Sequence, residues 1–349
     1  MPIELAAVQG TYLRDLLAQP AALKNTSEHL DRTKDLQTLV ARLHRGKFKC
    51  VVLTGMGSSF HGLNPLLLQL TQFGIPAVLV ETSELIHYWR RLLAPKSLVV
   101  AVSQSGSSVE MIRLLELNRG HAPIISVTNT ANSPLAKRSD AVVCTRAGEE
   151  FSVSCKTYVS ALLALKFLGD QLCRVPFAGT GRQLKAALPP VTAYLQGWRE
   201  HVEFLAPKLA GVRQLFLVGR GPSLAAVGTG ALILKEATRF PAEGLSSAAF
   251  RHGPFEMLGP ETFILVFGGV SRTRELNRRL LEDIRKQQGR AEFVTEHSGS
   301  GTFHLASVPP GILPVLEILP VQMMTLALAA MAGREPGKFR LASKITTTE

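Results

Sequence analysis

Cys50-Val51-Val52-Leu53-Thr54-Gly55-Met56-Gly57-Ser58-Ser59 is the stretch whose reading decides the fold. A short apolar run, rich in β-branched residues, stops at a glycine turn, and hydroxyl side chains follow at what reads as a helix start. A run without polar alternation is a strand buried on both faces. The same pattern recurs outward from it, at residues 77–80, 98–102, 123–127 and 141–144, with helix-length segments between. Buried strands alternating with helices predict a parallel sheet covered on both sides.

A second series begins at Gln214-Leu215-Phe216-Leu217-Val218, turns at Gly219-Arg220-Gly221-Pro222-Ser223 and continues through 263–267, 291–294 and 304–308. Gly55, Gly57 and Ser59 match Gly219, Gly221 and Ser223 at one constant offset, so the chain reads as a duplicated, doubly wound α/β unit. The length of 349 residues suits two such domains. The predicted organisation is a helical lead-in over 1–47, a first domain over 48–180, a connection near 175–195 and a second domain over 195–349. The most apolar stretch, 311–332, is interrupted by Pro314, Glu317, Pro320 and Gln322, and reads as a buried helix rather than a membrane span.

A net charge of +12 asks for an anionic partner, but the basic residues are scattered in pairs such as Arg90-Arg91, Arg278-Arg279 and Arg285-Lys286. Tracts of the nucleic-acid-binding kind are missing, so no nucleic acid is expected. A phosphorylated small molecule needs only a few cations, and charge alone does not separate it from solvated helix faces. The nine His contain no His-Glu-x-x-His and the four Cys no short paired spacing, so neither metal, cofactor nor disulfide framework is expected. The first residues carry no basic segment followed by an apolar run, which predicts a cytoplasmic protein without a membrane segment.

The segment Ser103-Gln104-Ser105-Gly106-Ser107-Ser108 follows a buried strand and precedes the helical 109–117. Backbone amides and hydroxyls that converge at a helix N-terminus form an anion site, and short hydroxyl side chains suit phosphate. A Ser-rich turn is also what an ordinary N-cap looks like. The second hydroxyl-rich turn, Ser58-Ser59, tips the balance, because both turns fall at the C-terminal edge of one sheet. A dinucleotide fingerprint fits less well, since its third glycine would fall at the bulky Phe60. Farther along, Lys235-Glu236 lies on a predicted helix over 225–239 and His252-Gly253-Pro254 follows. Each alone is an ordinary surface pair or turn; together with a phosphate site they make an acid-base pair.

These residues, with Gly148-Glu149-Glu150, Ser154-Cys155-Lys156-Thr157-Tyr158 and the tail Leu341-Ala342-Ser343-Lys344-Ile345-Thr346, resemble the double sugar isomerase (SIS) family. The likeness covers roughly residues 40–349 and is to the isomerase half of glucosamine-6-phosphate synthase and the stand-alone amino-sugar-phosphate deaminases. It implies two tandem doubly wound, flavodoxin-like SIS domains. It implies that Ser103, Gln104, Ser105 and Ser108 hold the sugar phosphate, that Ser58 and Ser59 line the sugar, and that Val153 and Ser154 contact it. Glu236 would move the proton between C1 and C2. His252 would open the pyranose ring from the partner subunit of a homodimer. Lys344 would reach the open-chain sugar and form a Schiff base.

Two departures stand out. Only the short lead-in precedes the first strand, where the synthase has a glutaminase domain, and Ile233 occupies the place of a synthase lysine three residues before Glu236. The implied function is isomerisation of an amino-sugar 6-phosphate with loss of ammonia. A fructosamine 6-phosphate deglycase is the enzymatic alternative. A non-catalytic sugar-phosphate sensor is the other, against which the conjunction of Glu236, His252 and Lys344 counts.

Overall fold

The computed structural model describes residues 3–297, 301–341 and 343–346. Five parallel strands make the first sheet: β1 (Cys50–Gly55), β2 (Ala77–Glu81), β3 (Ser97–Val102), β4 (Ile124–Thr128) and β5 (Ala141–Cys144), in the order β2-β1-β3-β4-β5. They form where the apolar runs predicted them, and β3 is buried at every position. On one face Val52, Val99, Ala101 and Ile124 pack with Met111, Leu114 and Leu115 of the Val109–Asn118 helix. Burying each such aliphatic side chain stabilises the fold by about 1.5–3 kcal/mol. The strand order reverses between β1 and β3, which leaves a crevice at their C-terminal ends, the place where doubly wound sheets take ligands.

The second sheet contains β6 (Gln214–Gly219), β7 (Ala242–Ser246), β8 (Thr262–Phe267) and β9 (Arg290–Val294), all parallel, in the order β7-β6-β8-β9. Its core gathers Phe216, Val218, Phe250, Ile264 and Val266 with Leu280, Leu281 and Ile284. Two differences from the sequence reading have local causes. The strand β7 has no apolar run because it lies at the sheet edge, and its Gly244 is there for close approach: a Cβ would meet the Val227 carbonyl oxygen at 2.6 Å. The predicted strand at 304–308 does not form. A single bridge joins Thr295 and His304, Pro309 and Pro310 follow, and the Val308 N–H donates to Glu296 Oε1 at 2.7 Å instead of to a ladder. The connection near 175–195 holds two helices, Phe177–Lys185 and Leu188–Gln196.

The packing divides into two compact units that do not follow chain order. The first sheet's unit comprises Ala21–Glu149, Lys156–Lys185 and Ala342–Glu349; the second sheet's comprises Met1–Pro20, Glu150–Cys155 and Ala186–Leu341. The lead-in is therefore split at Pro20. Tyr12 and Leu16 are fully buried, and Asp15 Oδ2 accepts the Phe151 N–H at 2.9 Å. Ser152 Oγ in turn donates to the Gly337 carbonyl at 2.8 Å. The Leu313–Met331 helix is long and apolar enough to cross a membrane, yet its whole apolar window is buried within the protein.

That helix carries Glu317, which is 1% exposed and accepts a 2.8 Å hydrogen bond from Ser223 Oγ. Burial above all, with the nearby Glu296 charge, pushes its carboxyl up to about 8 against the opposing pull of the Ser223 bond. The folded value lies above the ordinary 4.5, so the stabilisation from this group is complete below about pH 4.5 and is lost as the pH rises through 8. Glu317→Gln, which imitates the protonated acid, is expected to gain in Tm relative to the wild type between pH 5 and pH 9. Thermal melts that show the same difference at both pH values would contradict this.

Candidate functional site

Parallel pairing sets Gly55 of β1 opposite Val102 of β3, so the turns that leave these strands emerge side by side. After β1, Gly57 adopts φ +52° and opens a short helix that carries Ser58 and Ser59, both half-buried. After β3 the chain forms the loop 103–108. Ser103 Oγ accepts the Gly106 N–H at 3.1 Å, and Ser105 Oγ accepts the Ser107 N–H at 3.3 Å. Those bonds use lone pairs and leave each hydroxyl proton to donate outward. The Gln104 carbonyl takes the Asn129 N–H at 3.1 Å and Thr128 Oγ1 at 3.2 Å, which pins the loop to the end of β4.

Gly106 sits at φ +62° and its carbonyl accepts the Leu135 N–H at 3.1 Å. A Cβ there would come within 2.6 Å of the Ser133 Cβ, so glycine is required both for the turn and for the close approach. Ser108 is the N-cap of Val109–Asn118, but its side chain makes no capping bond. The positive end of that helix dipole therefore faces a ring of half-buried hydroxyls, which is an arrangement that accepts an anion.

The C-terminal tail returns to this same place. The Val109 N–H, in the first turn of the helix, donates to the Thr346 carbonyl at 3.2 Å, and Ser343 Oγ donates to the Ile345 carbonyl at 2.6 Å. Lys344 is half-buried between them. Within one unit the fold thus brings together Ser58, Ser59, Ser103, Gln104, Ser105, Ser108 and Lys344, residues that lie far apart in sequence. Ala342 and residues 347–349 of the tail lie outside the described residues.

The other unit holds the remaining residues. Glu236 is half-buried on the Leu224–Thr238 helix, while Lys235 is exposed. Val153 is buried and Ser154 half-buried in the segment Glu150–Cys155, whose turn is closed by Glu150: its Oε1 accepts the Cys155 N–H at 2.9 Å and the thiol at 3.5 Å. His252 is exposed just after the Ser247–Arg251 helix, ahead of Gly253 at φ +130°. Ile233 is fully buried and serves the core.

Sequence reasoning did not find Tyr12. Its ring is fully buried and its phenol accepts from Thr325 Oγ1 at 3.2 Å. Burial first, then the charges of Cys155, Glu236 and Glu150, raise its phenol far above the ordinary 10, while the Thr325 bond works in the opposite direction. Tyr12 is therefore a neutral phenol within the electrostatic reach of Glu236 and Glu150. Nothing in the helix-prone lead-in marks it, because the acids that surround it come from two distant parts of the chain.

Comparison with known proteins agrees with this architecture. The chain is 27% identical over 351 residues to a glutamine–fructose-6-phosphate aminotransferase of Pyrococcus horikoshii, a match that takes in 97% of this chain and 57% of that protein. The chain thus spans less than two-thirds of the curated relative's length. Among solved structures, the C-terminal domain of the glucosamine-fructose-6-phosphate aminotransferase of Francisella tularensis superposes with a TM-score of 0.85 at 19% identity, covering 95% of this chain and 99% of that one. The glucosamine-6-phosphate deaminase of Thermotoga maritima gives 0.76 at 18% identity, covering 97% and 100%. These low identities speak for the fold. The SIS domain profile matches residues 47–169 and 208–332, the two stretches that contain the two parallel sheets, and the chain accordingly belongs to the SIS domain family, with two SIS domains in tandem.

Proposed function

We propose that this protein is a phosphosugar isomerase acting on an amino-sugar 6-phosphate and releasing ammonia. The observation that carries the reading is the meeting of the hydroxyl-rich loop 103–108, the N-terminus of the Val109–Asn118 helix and the Lys344-bearing tail, joined by the Val109–Thr346 hydrogen bond. Ser103, Gln104, Ser105 and Ser108 bind the phosphate, with Ser58 and Ser59 against the sugar and Val153 and Ser154 as further contacts. Phosphate binding fixes the chain of the sugar, so that orientation supplies part of the rate.

In this reading His252 assists opening of the ring and comes from the second subunit of a homodimer, in keeping with its exposure. Glu236 takes the proton from C2 of the open-chain aldose as the C1 oxygen gains one, and returns a proton to C1. The product of that step is a protonated C2 imine with a C1 hydroxyl. Water adds to the imine, ammonia leaves, and the ketose 6-phosphate remains. Lys344 is the amine available to the open-chain carbonyl.

The deciding experiment is an ammonia-release assay across glucosamine 6-phosphate, galactosamine 6-phosphate and fructosamine 6-phosphates. Release from an aldosamine phosphate is expected. Ketose phosphate without ammonia would identify a simple isomerase, release from fructosamine phosphates alone a deglycase, and binding without turnover a sensor. Glu236→Gln is expected to keep substrate affinity and to slow deuterium exchange at C2 by about 10² to 10⁴; exchange at the wild-type rate would remove Glu236 from the mechanism.

The loop geometry makes a second expectation. Gly106→Ala should weaken sugar-phosphate binding at least about tenfold, since one charge-assisted hydrogen bond is worth roughly 1.5–3 kcal/mol. Calorimetry with glucosamine and its 6-phosphate measures it, and an unchanged preference for the phosphate would refute the assignment. Removal of residues 344–349 should depress kcat far more than Tm, because Lys344 goes with few buried apolar side chains. Full turnover in the truncated protein would make the tail a bystander.

A further inference from the structure

Glu236 stands where a helix is least secure, in the last turn of Leu224–Thr238, which ends at Arg239 in the left-handed conformation, φ +56°. The last carbonyls of a helix have no partner within it, and such ends fray unless another group takes them up. Here the Ala237 carbonyl, next to Glu236 in the chain, accepts the Gly337 N–H at 3.0 Å. Gly337 is held in turn through its own carbonyl, which accepts the Ser152 hydroxyl at 2.8 Å. Ser152 is 1% exposed and directly precedes Val153 and Ser154, the proposed sugar contacts. Its segment is itself anchored: Asp15 Oδ2 accepts the Phe151 N–H at 2.9 Å, and Glu150 Oε1 closes the turn on the Cys155 N–H at 2.9 Å.

Position 337 admits only glycine. Its φ is +73°, and a Cβ there would overlap Ser152 Oγ and come within 3.1 Å of the Tyr12 Cβ. Tyr12, fully buried, therefore backs the clasp, and the charges of Glu236 and Glu150 both act on its phenol. Every member belongs to the second sheet's unit. We infer, on the reading of Glu236 as the base, that Ser152 is a positioning residue: through Gly337 it ties the segment of Val153 and Ser154 to the helical turn that carries Glu236. Buried beneath that segment, it acts on the reaction only through Glu236. A base displaced by about 1 Å can cost about 10² in rate, so one buried hydroxyl that steadies a helix end matters to turnover beyond what it adds to stability.

Ser152→Ala in the full chain, with glucosamine 6-phosphate as the probe, tests this against Thr302→Val. The latter removes another fully buried hydroxyl, one that bonds His201 Nδ1 at 3.1 Å on the Gly301–Phe303 turn and takes no part in the clasp. Both variants are expected to lower Tm slightly. Only Ser152→Ala should reduce kcat and C2 deuterium exchange, by about tenfold, with KM within about twofold of the wild type, because the base moves while the phosphate loop does not. Amide hydrogen exchange at Gly337 and over residues 236–238 should quicken about tenfold in Ser152→Ala alone. Amide exchange at the wild-type rate would overturn the clasp. Faster amide exchange with unchanged kcat, or an equal fall in kcat in Thr302→Val, would overturn the positioning role. A wild type with neither turnover nor C2 exchange would instead refute the reaction on which that role depends, and amide exchange alone would then decide the clasp.

Discussion

The pairing of β1 with β3 is the constraint on which the rest depends. A parallel ladder permits side-by-side strands to end at the same edge, and the register that sets Gly55 against Val102 brings both hydroxyl-bearing turns there together. A slip of one residue would turn Val52 and Val99 away from the core they share with Leu114 and Leu115, so the apolar packing holds the register. Everything chemical in that unit is then local geometry: the left-handed Gly106, the helix N-terminus at Val109 and the tail seated on it by Thr346.

Duplication gave the chain two equivalent edges, and they have diverged. In the first, Ser59 and the loop 103–108 keep their hydroxyls half-exposed. In the second, the counterpart of Ser59 is Ser223, which is 1% exposed and donates its hydroxyl to Glu317. The serine that would face a ligand in one copy is engaged from within in the other. In the second unit Glu236 lies on a largely buried helix, with Tyr12 held neutral within its electrostatic reach.

Buried polar groups record where this fold departs from simple packing. Glu317 keeps a proton to near-neutral pH, and Gln171 holds a buried donor with no acceptor among the described residues. Hydrophobic burial can carry such costs because the surrounding helices, Lys156–Leu172 and Leu313–Met331, are buried along almost their whole length.

The sequence by itself determined the strands of the first sheet, the duplication, the glycine turns and the loop 103–108, because an apolar run, a glycine and a cluster of serines are local features. It missed β7, an edge strand with little to bury, and it placed a strand at 304–308, where two prolines and the Glu296 carboxylate take the backbone elsewhere. Which segment belongs to which unit was decided only in three dimensions: residues 1–20 and 150–155 pack with the second sheet and the tail with the first. The same holds for Tyr12, Glu317 and the clasp of Ser152 on Gly337. Their properties come from burial and from neighbours brought in from other parts of the chain, and the free energy of a buried polar group depends on what surrounds it, which no local pattern of residues encodes.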